Sequence, residues 1–157
     1  MKFRHLLFTT DLSDDSLLPL RDVLALGRAL DARLTVLHVV HPAEVGVSPV
    51  PYAPRPIPRD LEAAEEDARQ ILEERVRRVA GQQPVQVVAL RGTRVAEAVQ
   101  EYAQSNGVDL VVSTTHGRSG FRRLVLGSQV ESIVRASEVP VLCIPLKGSR
   151  TRPSEDS

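Results

Sequence analysis

Residues 108–117 read VDLVVSTTHG and residues 127–145 read GSQVESIVRASEVPVLCIP. Val108 to Ser113 is a nearly unbroken apolar run, the pattern of a strand covered on both faces. Val139 to Ile144 is a second such run, and Gln129 to Ala136 between them carries helical spacing. Gly117 and the Gly127-Ser128 pair frame the loop that joins the first strand to the helix. A glycine loop that leaves a strand and ends at a helix start presents backbone N–H groups to an anion. Nucleotide binding is therefore the leading expectation. The loop is not of the Walker type, because no lysine follows Gly127 and the glycine spacing differs from G-x-x-x-x-G-K-[ST].

The same alternation extends towards the N-terminus. His5 to Thr9 reads as a strand, and Leu17, Leu20, Val23, Leu24, Gly27 and Leu30 form a helical stripe over Ser13 to Leu30. Asp14 and Asp15 near its start complement the helix dipole. Arg33 to Val40 reads as a second buried strand. Residues 41–58 contain six prolines, which exclude regular helix and central strand. Arg59 to Ala80 resumes helical spacing, with interleaved Glu and Arg as a solvated face. Val85 to Leu90 is the third strand, and Thr93 to Gln104 a helix that buries Val95, Ala98, Val99 and Tyr102. Five strands alternating with helices predict a three-layer α/β/α domain on a mainly parallel sheet. It spans residues 1–146, and the polar residues 147–157 read as a disordered tail.

Composition narrows the function. A chain of 157 residues with 42% hydrophobic content suffices for one well-buried domain. Twenty basic and twenty acidic residues cancel. No global field draws the chain to nucleic acid or an anionic membrane, so a phosphate site has to be built locally. A lone Cys143 excludes an internal disulfide and points to a reducing compartment; in its apolar strand it reads as a small core residue. No signal peptide is recognisable, and no apolar run approaches the roughly 18 residues of a membrane span. The expected location is cytoplasmic. His38 reads as a core histidine, and His5 and His41 lack partners at metal-ligand spacing, so no metal site is expected.

Thr114, Gly117, Gly127 and Ser128 follow G-x-x-G-(nine residues)-G-[ST], with Thr114 at the first glycine. With strands ending Thr9-Thr10-Asp11 and His38-Val39-Val40, and a terminal Val-Pro-Val-Leu strand, the chain resembles the nucleotide-binding universal stress proteins over nearly its whole length. The resemblance implies sheet order 3-2-1-4-5, an adenine nucleotide alpha-hydrolase-like fold. Strands 1 and 4 then meet at the topological switch point, where such sheets bind ligands. It further implies that Asp11, with Thr10 beside it, contacts the adenosine end of ATP and that the Val39 backbone meets the adenine edge. Asp11 alone also reads as the start of a turn. Gly117, Gly127, Ser128 and Gln129 are expected to form the phosphate cradle, and Ser128 with Glu131 reads as an S-x-x-E capping box. His116 either donates to a phosphate or caps the loop. Arg118 reads as a phosphate clamp, whereas Arg122 and Arg123 read as solvated.

Thr114 is the departure from the pattern. A glycine used there for positive φ makes Thr a strained replacement, at about 1–2 kcal/mol. A glycine used for clearance makes Thr a narrowing of the pocket. The chain is expected to be a nonenzymatic, ATP-dependent stress-response switch or sensor, with Mg²⁺ accompanying the nucleotide and an unidentified protein partner. The alternatives are an interaction module of the same fold without nucleotide, and a slow ATPase. The proline-rich segment 41–58 reads either as a cover beside the nucleotide or as a plain surface loop. Val139 to Pro145 would be an apolar edge strand, and pairing of two copies along it implies a homodimer.

Overall fold

The computed structural model describes residues 2–42, 61–115 and 127–145. In chain order these form β1 (His5–Thr10), α1 (Asp14–Leu17), α2 (Leu20–Leu30), β2 (Arg33–Val40), α3 (Leu61–Ala80), β3 (Gln86–Arg91), α4 (Val95–Asn106), β4 (Leu110–Thr114), α5 (Ser128–Ala136) and β5 (Val141–Ile144). The five strands form one sheet in the order β3-β2-β1-β4-β5. Every neighbouring pair is parallel. The expected order is thus the observed one. The expected cover at 41–58 and the tail at 147–157 lie outside the described residues, apart from His41 and Pro42.

Alternating strand residues feed two separate cores. Leu6 and Phe8 of β1, Leu34 and Val36 of β2, and Leu110 and Val112 of β4 pack under α2 and α3, against Leu20, Val23, Leu24, Leu72 and Val76. On the opposite face Leu7, Leu37, Val39 and Val111 pack under α4 and α5, against Val99, Ala103 and Ile133. This two-sided covering accounts for strands β1 and β4 being buried along their whole length. The edges differ: β3 is mostly half-buried, and in β5 Leu142 is exposed. Cys143, expected in the core, is only half-buried on that edge, and burial still raises its thiol pKa above the ordinary value. Among the described residues no helix is long and apolar enough to cross a membrane.

The expected single helix over Ser13 to Leu30 is broken into α1 and α2. Ser13 caps the first piece, its Oγ accepting from Ser16 N–H at 3.2 Å. Pro19 has no N–H to continue the ladder and its ring crowds the preceding turn, so it becomes the start of α2 instead. Leu18 is left on the outside of the break, 65% exposed. The other boundaries within the described residues agree with the sequence reading to within two residues, and β2 matches it throughout. The last strand is shortened to Val141–Ile144 because Pro140 lies outside the ladder, lending only its carbonyl to Val111 N–H at 3.0 Å.

Candidate functional site

A cleft of about 440 Å³ opens beyond the C-terminal ends of β1 and β4, between the starts of α4 and α5. Its walls include Thr10, Asp11, Val39, Thr114, Gly127, Ser128 and Gln129, which come from four separate stretches of the chain. The sheet order reverses there, with β1 having β2 on one side and β4 on the other. His116, Gly117 and Arg118, and with them Arg122 and Arg123, lie outside the described residues.

The floor is rich in hydroxyls. Thr9 Oγ1 donates to Ser113 Oγ at 2.9 Å, tying the ends of β1 and β4 together. Ser16 Oγ donates its single proton to Ser13 O at 2.9 Å. Thr10 Oγ1, 2.6 Å from Ser16 Oγ, is therefore the donor in that pair, and it accepts in turn from Leu12 N–H at 3.1 Å. His38 backs this loop from β2. It is buried, and its Nδ1 lies 3.0 Å from Thr10 O, a carbonyl, so Nδ1 carries a proton. Its reading as a core histidine holds.

Asp11 does make a turn. Its Oδ1 accepts from the N–H of Ser13 at 2.9 Å and also from Ser13 Oγ. One carboxylate oxygen is thus committed to shaping the loop while the residue still lines the cleft. The following residue, Leu12, has φ 63, in the left-handed region that a leucine adopts only at a cost of about 1–2 kcal/mol.

Of the expectations about the glycine loop, one pair of alternatives is decided and two are corrected. Thr114 closes β4 in extended backbone, opposite Ile144, and the left-handed non-glycine residues among those described are Leu12 and Asp31. Thr114 therefore carries no positive-φ strain. It is 6% exposed and lines the cleft, so its effect is on the shape of the space. The Ser128–Glu131 capping box does not form, because Gly127 takes the N-cap position and makes no side-chain cap. Ser128 becomes the first helical residue, its carbonyl accepting from Ser132 Oγ, and Glu131 pairs instead with Arg135 at 2.8 Å. Finally, the Gly127 N–H is spent on Thr115 O at 3.1 Å. The groups aimed outward are then the N–H groups of Ser128, Gln129 and Val130, which have no acceptor within their own helix. They sit at the positive end of the α5 dipole, a fit for an anion.

Of the opposite wall only Val39 was expected from the sequence; Leu37, Val95 and Val99 were not. Leu37 and Val39 of β2 with Val95 and Val99 of α4 give it an apolar surface, suited to a flat ring. Gly92, just after β3, lets this wall close up, since a Cβ there would come within 2.9 Å of both Val39 Cγ1 and Ala98 Cβ. The strand order carried the signal for this wall, because it sets β2, on which α4 packs, beside β1. Asp11 is the one carboxylate among the described lining residues.

A model of the universal stress protein family matches residues 2–145. The chain belongs to that family. Among its relatives, universal stress protein A homolog 1 of Coxiella burnetii is 32% identical over 151 residues, covering 94% of this chain and 99% of the relative. The fold is shared with solved members. The hypothetical protein MJ0577, a universal stress protein of Methanocaldococcus jannaschii, superposes with a TM-score of 0.72 at 22% identity, over 95% of this chain and 100% of the other. A universal stress protein solved in complex with cAMP superposes with a TM-score of 0.64 at 20% identity, over 94% of this chain and 100% of that one.

Proposed function

We propose that this universal stress protein binds an adenine nucleotide in the switch-point cleft, with ATP and its Mg²⁺ the expected ligand, and acts as a nucleotide-dependent switch in the cytoplasm. The observation that carries the reading is the pairing of two unlike walls across one cleft. An apolar face from β2 and α4 stands opposite the first-turn N–H groups of α5, which have no acceptor within their own helix, with the hydroxyl floor and Asp11 between them. Such a cleft suits a ligand with a flat ring at one end and an anion at the other. The cAMP complex of the structural neighbour supports the adenine class. In this reading Asp11 meets the sugar, Val39 the ring, and Ser128 and Gln129 the phosphates. Mg²⁺ would arrive on the nucleotide, since among the described residues no group of three His, Cys, Asp or Glu side chains could hold a metal ion.

In this reading the protein is not an enzyme. The described lining residues offer neither a carboxylate pair nor a lysine for phosphoryl transfer. Turnover of ATP by pure protein is expected to stay well below ~1 s⁻¹. Titration calorimetry with ATP and GTP, each with Mg²⁺, tests the proposal: ATP should bind and GTP more weakly. No heat and no thermal shift at millimolar ATP would favour a second reading, an interaction module without nucleotide. The buried Thr114 side chain, which fills part of the cleft, is the observation on that side.

A further inference from the structure

We infer that Arg75, on the far side of the sheet from the cleft, is a positioning residue that holds the Asp11 loop in its binding shape. The inference rests on the nucleotide reading above and adds a residue that does not line the cleft. Leu12 has φ 63, and a side chain at that position makes the left-handed turn unfavourable without an external tie. The tie comes from α3. The Arg75 guanidinium donates through one nitrogen, Nη1, both to the carbonyl oxygen of Leu12 and to Asp14 Oδ1 at 3.1 Å. Asp14 is 95% exposed, so the ion pair itself contributes little, and the bond to the strained peptide is the anchoring one.

The rest of the loop agrees with this. Leu12 N–H donates to Thr10 Oγ1, and Ser13 N–H donates to Asp11 Oδ1. The Leu12 side chain packs against the core on the α2 and α3 face, so the residue is fixed from below. The Asp11 carboxylate is therefore oriented by Ser13, Ser13 by the turn at Leu12, and the turn by Arg75. Release of the Leu12 carbonyl lets the backbone relax to negative φ, which rotates the next peptide and withdraws the Ser13 N–H from Asp11.

Amide hydrogen exchange in the absence of ligand reads the loop directly. In Arg75→Ala the amides of Leu12 and Ser13 should lose protection by about tenfold while those of Leu6, Leu7 and Phe8 keep theirs. ATP affinity of the same sample should fall by about tenfold. Adding Leu12→Gly to Arg75→Ala should restore part of the affinity, because glycine adopts φ 63 at no steric cost even though the packing of the Leu12 side chain is lost. Purely structural damage would not be repaired by that second change. Unchanged exchange at Leu12 and Ser13 overturns the inference, as does a loosened loop with undiminished ATP affinity. Uniform loss of protection through β1 overturns it too, by making Arg75 a general stability residue. Absence of any adenine nucleotide binding by the wild-type protein overturns the nucleotide reading instead, and the exchange result then decides the clamp by itself.

Discussion

The imidazole of His5 is 2% exposed and fully engaged. Its Nδ1 lies 3.1 Å from the carbonyl of Asn106, so Nδ1 donates, and its Nε2 lies 2.8 Å from Thr35 Oγ1, a hydroxyl that also donates to Gln86 Oε1 at 3.3 Å. Burial above all, and to a lesser extent the charge of Arg33, hold its pKa below the ordinary 6.5. The unfolded chain then binds a proton that the folded one refuses. This contribution to stability is complete above about pH 6.5 and is lost as pH falls from there towards the lowered folded value, with a slope of at most about 1.4 kcal/mol per pH unit. Urea unfolding of the wild type between pH 7.5 and 5 should show that decline, and His5→Gln should flatten it. Thr114 makes a second prediction at this scale. With strain excluded by its extended backbone, Thr114→Gly acts only by widening the cleft, and calorimetry should show ATP binding tightened by up to roughly tenfold. Unchanged affinity would mean that the threonine side chain is clear of the ligand.

Helix α5 shows how one element can be read correctly and its end wrongly. Its apolar positions Val130 and Ile133 are buried as the sequence spacing requires. The capping box was legible as a pattern, but a pattern of four residues does not say which of them turns the chain. Gly127 adopts φ −57 and ψ 144, takes the cap, and displaces Ser128 into the helix. That backbone is open to any residue, so Gly127→Val should fold normally and keep a cooperative unfolding transition. The branched side chain would stand at the mouth of the first-turn N–H groups, and nucleotide affinity should fall by more than about tenfold in the same calorimetric assay. A variant that fails to unfold cooperatively would show the glycine to be needed for the fold. Elsewhere the helical stripe ran unbroken through Leu17, Leu20 and Leu24 and hid the break that Pro19 imposes, because both short helices bury the same face. Val95 and Val99 were hidden for a similar reason. An apolar residue that packs and one that lines a cleft leave the same mark in a sequence, and only the strand order separates them.

At the scale of the molecule the sheet ends in two edges, and β5 is the apolar one. Leu142 is 39% exposed in its middle, opposite Val112 in the ladder, with Pro140 and Pro145 on either side to limit the length of any added pairing. Two copies paired antiparallel along this strand would cover it. Sedimentation at micromolar concentration should give a dimer, and Leu142→Glu a monomer or an aggregate; a wild-type monomer would remove the pairing. The sheet order itself came with the family resemblance, which the strand endings and the glycine loop carry. The division of the interior into two cores has a further effect. The cleft draws its apolar wall from the α4 and α5 side, through Leu37, Val39, Val99 and Ile133, while α2 and α3 pack on the other. A bound nucleotide would act as mortar for one storey of the building, stiffening α4 and α5 and leaving α2 and α3 as mobile as before. News of occupancy would reach the second storey by a narrow stair, the strained turn at Leu12 and the arginine beneath it.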